Sequence, residues 1–288
     1  MREAYERAVK LYWRLSMLKL RPYLVPLTAL ALLICYASTL RGMIDQWTHD
    51  EDMAHGFVVP LVIAWIIWRE RGQWQKLPNE PNACGIALLL FAASLDFAGA
   101  LGVGLFARSL AFLLSIAGAV LCLGGWAWLR AWAFPFVLAL FMLPKLAIVY
   151  NQVTLPLQLL ATRLAATILT TTGFSVIREG NILNVAGHQI QVVEACDGIR
   201  YLIPLAFTAL VLAYLAGSNV WMRVALFLAA VPLAVIANGI RVAAIAPIPA
   251  LLTGPLHALT GWAIFLLCLA GLEFVRRVIQ SAYGRYHA

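Results

Sequence analysis

The feature that most constrains this chain is a succession of long apolar runs separated by short polar segments. Hydrophobic residues make up 63% of the 288 residues and charged residues 12%, whereas soluble domains are about half apolar and a quarter charged. A run of about 20 apolar residues is long enough to cross a bilayer as a helix. The sequence therefore predicts an all-α integral membrane protein.

About eight such runs predict about eight transmembrane helices. They are Pro22–Leu40, His55–Trp68, Ala83–Phe97, Ala107–Leu123, Ala133–Leu146, Ile199–Ala216, Val224–Ala246 and His257–Val275. The first run lacks a clear small-residue cleavage site, so we interpret it as a retained span rather than a signal peptide. The predicted organisation is a basic lead-in at 1–21, five spans within 22–148, an outer-face segment at 149–195, three spans within 196–275 and a basic tail at 276–288.

The segment between the fifth and sixth runs differs in character. Polar residues interrupt the apolar positions of Val149–Thr172, which predicts a short amphipathic helix lying along the membrane face. Three alternating stretches then predict β-strands at Phe174–Arg178, Asn181–Val185 and Gln189–Val193. Glu-Gly-Asn and Ala-Gly-His predict the turns between them.

The distribution of basic residues predicts the orientation in the membrane. With the N-terminus inside, 14 of the 21 lysines and arginines fall on the inner side. Because cytoplasmic loops carry an excess of basic residues, this bias favours cytoplasmic termini in a cell (inner) membrane. The net positive charge is therefore explained by membrane topology, and we predict no nucleic-acid partner.

One of the five cysteines stands apart. Cys196 lies among polar residues, whereas Cys35, Cys84, Cys122 and Cys268 lie within or beside apolar runs. No CxxC pair is present, so we predict no metal site and no cofactor. Cys196 precedes a predicted helix, with Arg200 one turn beyond it, and such surroundings lower a thiol pKa and favour a nucleophile. The alternative is a small residue that merely packs at a helix start.

Two further polar side chains reach the same predicted outer face as Cys196. Arg241 follows the inner-face Arg223 by about 27 Å of helix, and His257 precedes Arg276 by about 28 Å. Asn238 lies one turn before Arg241, and His55 opens the second span on that side. The alternatives are that Arg241 extends to lipid headgroups, that His257 has no role and that His55 belongs to a turn.

These residue types together indicate acyl transfer. A neutral histidine takes the proton of a thiol, and the thiolate attacks a peptide carbonyl. Arginine has only hydrogen-bond donors, which suit a developing oxyanion.

The motifs that carry these residues resemble the exosortase/archaeosortase family. They are Ala-His-Gly-Phe-Val-Val-Pro-Leu at 54–61, Arg-Glu-Gly-Asn-Ile-Leu at 178–183, Glu-Ala-Cys-Asp-Gly-Ile-Arg-Tyr-Leu at 194–202, Asn-Gly-Ile-Arg at 238–241 and His257. The resemblance covers about residues 50–275. Asp197 departs from it, because a small neutral residue is expected there.

The resemblance implies a multi-pass cysteine transpeptidase or protease. Cys196 is then the nucleophile, Arg241 the essential arginine and His257 the general acid/base. From their positions, we expect Glu194, Arg200, Asn238 and His55 to be supporting residues. The implied partners are membrane-anchored proteins that carry a C-terminal sorting signal, with a Pro-Glu-Pro-like motif, one transmembrane helix and a basic tail.

Two other functions compete with this interpretation. One is a plain intramembrane protease that releases its product to water. The other is a transporter or scaffold for surface polysaccharide assembly, which predicts polar groups along a midplane pathway. The polar residues of this sequence cluster at one interface, which argues against a transporter.

Overall fold

The computed structural model describes residues 22–192, 199–217, 219–252 and 254–286. The predicted lead-in at 1–21 lies outside these residues, as do Glu194, Cys196 and Asp197. The chain divides into two compact units, Met1–Lys145 and Leu146–Ala288. The candidate residues Arg241 and His257 belong to the second unit, and His55 belongs to the first.

The described part of the first unit is helical. It comprises α1 (Pro22–Cys35), α2 (Ala37–His49), a 3-10 helix (Glu51–Phe57), α3 (Val58–Trp74), α4 (Cys84–Ala98), α5 (Leu105–Gly124), α6 (Trp126–Ala131) and α7 (Ala133–Ala139). Helices α4 and α5 pack closely because Gly85 and Gly118 face the partner helix, where a Cβ would collide with its neighbours. Glycine at Gly102 and Gly104, with φ of +147° and +88°, makes the turn between them.

The second unit is organised around one long helix. Its elements are α8 (Ala147–Thr171), β1 (Val176–Glu179), β2 (Ile182–Val185), β3 (His188–Gln191), α9 (Ile199–Leu215), α10 (Val220–Ile245), a 3-10 turn (Pro249–Leu251) and α11 (Gly254–Tyr286). Helix α10 packs against α8, α9 and α11. A side chain at Gly239 would collide with Leu164, so this glycine permits the close approach of α8 and α10.

The three predicted strands are confirmed. They form an antiparallel sheet in the order β1-β2-β3, with Val176 opposite Val185 and Ile182 opposite Gln191. Two-residue turns join the strands, and Gly180 and Gly187 adopt the positive φ values that such turns require.

One face of the sheet packs on the helices. Leu183, Val185 and Val192 are buried against α8 and against Val242 of α10. Because side chains alternate along a strand, the opposite face of β3 leaves Gln189 and Gln191 exposed.

The all-α integral membrane class is confirmed, but the count of eight spans is not. Within the described residues, six helices are long and apolar enough to cross a membrane, or seven if the bent pair α1–α2 is one span. The six are Glu51–Trp74, Cys84–Gly102, Leu105–Gly124, Tyr150–Thr171, Val220–Ile245 and Gly254–Ser281. The pair α1–α2 bends by 66°, so the predicted straight first span is broken near Tyr36.

Two predicted spans are short helices in the structure. The fifth is the apolar helix Ala133–Met142, and the sixth is Arg200–Leu215. The fifth ends early because Leu143 precedes Pro144 and adopts an extended conformation, as residues before proline tend to do.

The helix predicted to lie along the membrane face is long and apolar enough to span a membrane. Tyr150–Thr171 has 22 residues and a mean hydropathy of 1.4, and the helix packs against α10. Several of its polar side chains are satisfied inside the protein, which the sequence did not indicate. Gln158 and Thr162 are both buried, and the Thr162 hydroxyl donates to the carbonyl of Gln158 at 2.6 Å.

Candidate active site

Arg241 is the central residue of the candidate site. It lies near the C-terminal end of α10 and is only 2% exposed. A buried guanidinium requires hydrogen-bonding partners to offset the loss of water. The guanidinium is therefore enclosed by protein and does not extend to headgroups.

Side chains from two neighbouring helices contact this guanidinium. Nη2 of Arg241 donates to Nε2 of His257 at 2.8 Å, and Nε donates to Oγ1 of Thr260 at 3.3 Å, both on α11. On the α9 side, the guanidinium carbon lies 5.4 Å from the ring centroid of Tyr201, within range of a cation–π interaction. Three helices that are separate in sequence thus meet at one arginine.

The imidazole of His257 has a defined tautomer in this arrangement. Its Nδ1 lies 3.1 Å from the carbonyl oxygen of Leu251, in the 3-10 turn before α11. A carbonyl only accepts and a guanidinium only donates. We therefore assign the proton to Nδ1 and the lone pair to Nε2, which makes this a neutral imidazole with its basic nitrogen on Arg241.

Thr260 and Tyr201 are site residues that the sequence interpretation did not single out. The Thr260 hydroxyl donates to the carbonyl of His257 at 2.7 Å while accepting from Arg241, so it links the two candidate residues. Tyr201 approaches α11 at Gly261, where a Cβ would collide with the tyrosine hydroxyl. The signals were present: Thr260 is the next polar residue after His257 on an apolar helix, and Tyr201 belongs to the cysteine motif.

The two ends of the segment that carries Cys196 are both anchored in this unit. Val192, the last described residue before it, packs in the cluster that contains Val242, the neighbour of Arg241. Tyr201, in the first turn of α9 after it, contacts Arg241 itself. Arg200 is half-buried in the same turn, and Asn238 is fully buried on α10 one turn before Arg241.

His55 lies in the first unit and contacts backbone there. Its Nδ1 is 3.1 Å from the carbonyl oxygen of Asp52, and its Nε2 is 2.9 Å from that of Phe141. The ring therefore ties the 3-10 helix to the segment after α7. Gly56 beside it is required by packing, because a Cβ there would collide with the indole of Trp47.

The first unit also contains a charged cluster that the sequence interpretation missed. Nζ of Lys145 lies 2.8 Å from Asp50 and 2.6 Å from Asp52. Burial alone would lower the pKa of Lys145, but the hydrogen bonds and negative charges of the two aspartates outweigh it and raise the pKa. The lysine is thus held charged against its two carboxylates.

The chemistry available at Arg241 and His257 is that of a base beside an oxyanion donor. A neutral imidazole accepts a proton at its unprotonated nitrogen, and a guanidinium stabilises negative charge. No group of three or more His, Cys, Asp or Glu side chains suited to a metal ion occurs among the described residues.

Comparison with protein families finds one match. The sequence profile described as transmembrane exosortase matches residues 47–274, which is most of the chain. No curated protein and no solved structure matches. The matched region begins before His55 and extends past His257.

Proposed function

Because the chain belongs to the transmembrane exosortase family, we propose that it cleaves membrane-anchored precursor proteins at a C-terminal, PEP-CTERM-like sorting signal. Cys196 is the nucleophile, His257 the general acid/base and Arg241 the oxyanion donor. The observation that supports this most directly is the 2.8 Å contact between Arg241 Nη2 and His257 Nε2, because it joins an oxyanion donor to a neutral base.

The proposed first step is acylation of the enzyme. The Cys196 thiol gives its proton to Nε2 of His257, and the sulfur forms a bond to the scissile carbonyl carbon. The carbonyl electron pair moves to oxygen, where Arg241 donates to it. Collapse of the intermediate breaks the C–N bond, and His257 returns the proton to the leaving amine. An acceptor amine then attacks the thioester, or water does so in its place.

Proton transfer also changes the contact between Arg241 and His257. In the structure Nε2 accepts a hydrogen bond from Nη2, which requires a neutral ring. One lone pair cannot both accept from Nη2 and take the thiol proton, so Nη2 leaves Nε2 as the proton arrives, and both nitrogens are then donors. Nη2 is therefore released for the oxyanion at the moment when negative charge develops there, which is when its donation has the greatest effect.

Chain connectivity is consistent with Cys196 acting beside this pair. Cys196 is four positions after Val192, which limits their Cα–Cα distance to about 14 Å. It is five positions before Tyr201, which contacts Arg241. The length of the chain therefore allows the thiol to reach a carbonyl bound at Arg241.

The test is a Cys196→Ala variant expressed with a precursor that carries the sorting signal. We expect processing to be abolished while the enzyme still accumulates, because alanine, like cysteine, is small and apolar but lacks the thiol. The ratio of full-length to cleaved precursor on a blot, normalised to enzyme level, measures it. Normal processing by this variant would end the cysteine mechanism.

Two further measurements refine the reaction. Hydroxylamine added during processing separates transfer from hydrolysis, because an accessible thioester yields a hydroxamate at the new C-terminus, visible by mass spectrometry. A reporter active only outside the cytoplasm, fused at Gly187, tests the proposed outer-face site with both termini cytoplasmic. A second reporter, active only in the cytoplasm, is fused at the same position. If it is active and the first reporter is not, the proposed orientation is wrong.

A further inference from the structure

One polar contact in the second unit is not explained by the Arg241 site. The Asn181 side chain, in the turn between β1 and β2, donates from Nδ2 to the carbonyl of Val192 at 3.1 Å. The same Nδ2 donates to Oε1 of Gln158 on α8 at 3.1 Å. In return the Val192 amide donates to the backbone carbonyl of Asn181 at 2.8 Å. One asparagine therefore holds both backbone polar groups of Val192.

The Asn181 contact lies immediately before the segment that carries Cys196. Val192 follows β3 and is the last described residue before the segment that carries Cys196. Its side chain is 1% exposed and packs beside Val242, so side chain and backbone are both restrained. Gln158 is itself only 7% exposed, and a buried amide left without its partner is costly.

We propose that Asn181 and Gln158 are positioning residues that fix where the chain enters the Cys196 segment. Tyr201, in the first turn of α9 after that segment, contacts Arg241, so described residues on both sides of the segment are held in place. Loss of the Asn181 contact frees one end and widens the range of thiol positions. The consequence for catalysis rests on the proposed function, whereas the consequence for thiol geometry does not.

The informative change is Asn181→Asp, which keeps the side-chain size. Gln158 can still pair with the aspartate by turning its amide so that the NH2 group donates. The substitution replaces the donor facing the Val192 carbonyl with an oxygen, so that two acceptors oppose each other. Asn184→Asp and Gln189→Glu are matched controls, because they make the same chemical changes on β2 and β3 without touching Val192. On α8, Gln158→Leu removes the acceptor, and Gln158→Glu retains it.

Two readouts separate geometry from catalysis. The first is the alkylation rate of Cys196 in membranes, in a protein whose other four cysteines are replaced. The second is precursor processing in the same background. We expect Asn181→Asp to change the alkylation rate severalfold and to lower processing about 10²-fold, as for a displacement of about 1 Å in an active site. Gln158→Leu should change the alkylation rate and the processing in the same direction but less, and Gln158→Glu should give values close to those of the wild type.

The outcomes are decisive for each idea separately. If Asn181→Asp alkylates and processes like Asn184→Asp, the positioning role is wrong. If Asn181→Asp does not accumulate, Gln158→Leu decides, and an alkylation rate equal to that of Gln158→Glu overturns the proposal. If alkylation changes while Cys196→Ala still processes the precursor, the positioning role stands and the proposed function fails.

Discussion

Two partly buried polar clusters, one in each unit, hold a cation in opposite ways. In the first unit, Lys145 lies between the carboxylates of Asp50 and Asp52. In the second, Arg241 donates to a neutral imidazole and a hydroxyl and lies over an aromatic ring. Both clusters join segments that are distant in sequence. The difference is in the partners, which are charged in one cluster and neutral in the other.

This difference indicates different roles. Opposite charges at less than 3 Å form strong hydrogen bonds, and removing either partner leaves a costly uncompensated charge. Hydrogen bonds from a guanidinium to neutral acceptors are weaker, so replacing one of them with a hydrogen bond to an oxyanion is favourable. The Lys145 cluster thus suits permanent bracing of the fold, and the Arg241 cluster suits a reaction in which charge appears and disappears.

The largest predicted effect is on the base of the second cluster. His257→Ala should lower processing by about 10²–10⁴-fold, as loss of a general acid/base does, at an unchanged enzyme level. His188→Ala, in the same unit at the start of β3, is the matched control and should retain processing. His55→Ala should instead lower the melting temperature of the purified protein, because its ring packs between two backbone carbonyls and a neutral ring donates to one of them. Equal processing by the His257 and His188 variants would remove His257 from the mechanism.

Reciprocal conservative exchanges test the two cations directly. Arg241→Lys keeps the charge but loses the planar donors that reach His257 and Thr260 together, so processing should fall about 10²–10³-fold. Lys145→Arg keeps a cation between two carboxylates and should leave processing nearly unchanged. Both are measured by the blot ratio at matched enzyme levels. If Arg241→Lys processes normally, the oxyanion role is unsupported.

Removing the charge of the first cluster should act on stability. Lys145→Met leaves two carboxylates facing each other and should cost about 3 kcal/mol, seen as earlier thermal unfolding in detergent. The pKa of Lys145 is raised above its ordinary value of 10.5, so its contribution is fully present below pH 10.5 and is lost as pH rises through the raised value. If the difference in melting temperature between the wild type and Lys145→Met vanished between pH 7 and pH 9, this account would be contradicted.

The smallest predicted effect concerns the hydroxyl that links Arg241 to His257. Thr260→Val keeps the side-chain shape but removes one acceptor for Arg241 and one donor to the His257 carbonyl. Processing should fall about tenfold, the size expected for one hydrogen bond to a charged group. Thr260→Ser restores the hydroxyl and should restore the rate, whereas failure of the serine variant would indicate a packing role for the methyl group.

Local sequence patterns predicted much of this architecture. Apolar runs predicted the long helices, and the stretches around Glu-Gly-Asn and Ala-Gly-His predicted three strands to within two residues at most ends. These features depend on periodicity and turn chemistry, which act over a few residues. The same local patterns could not show that Gln158 and Thr162 of α8 are satisfied by partners inside the protein.

The sequence by itself determined the membrane class, the family motifs and the candidate residues Arg241 and His257, because hydropathy and residue chemistry belong to individual positions. Only the tertiary structure decided that these two side chains meet at 2.8 Å, that Leu251 sets the tautomer, and that Thr260, Tyr201 and Asn181 belong to the arrangement. Sixteen residues separate Arg241 from His257. Contacts over such separations depend on how α9, α10 and α11 pack. Glycines such as Gly261 allow the helices to approach closely, and no local sequence pattern encodes that packing.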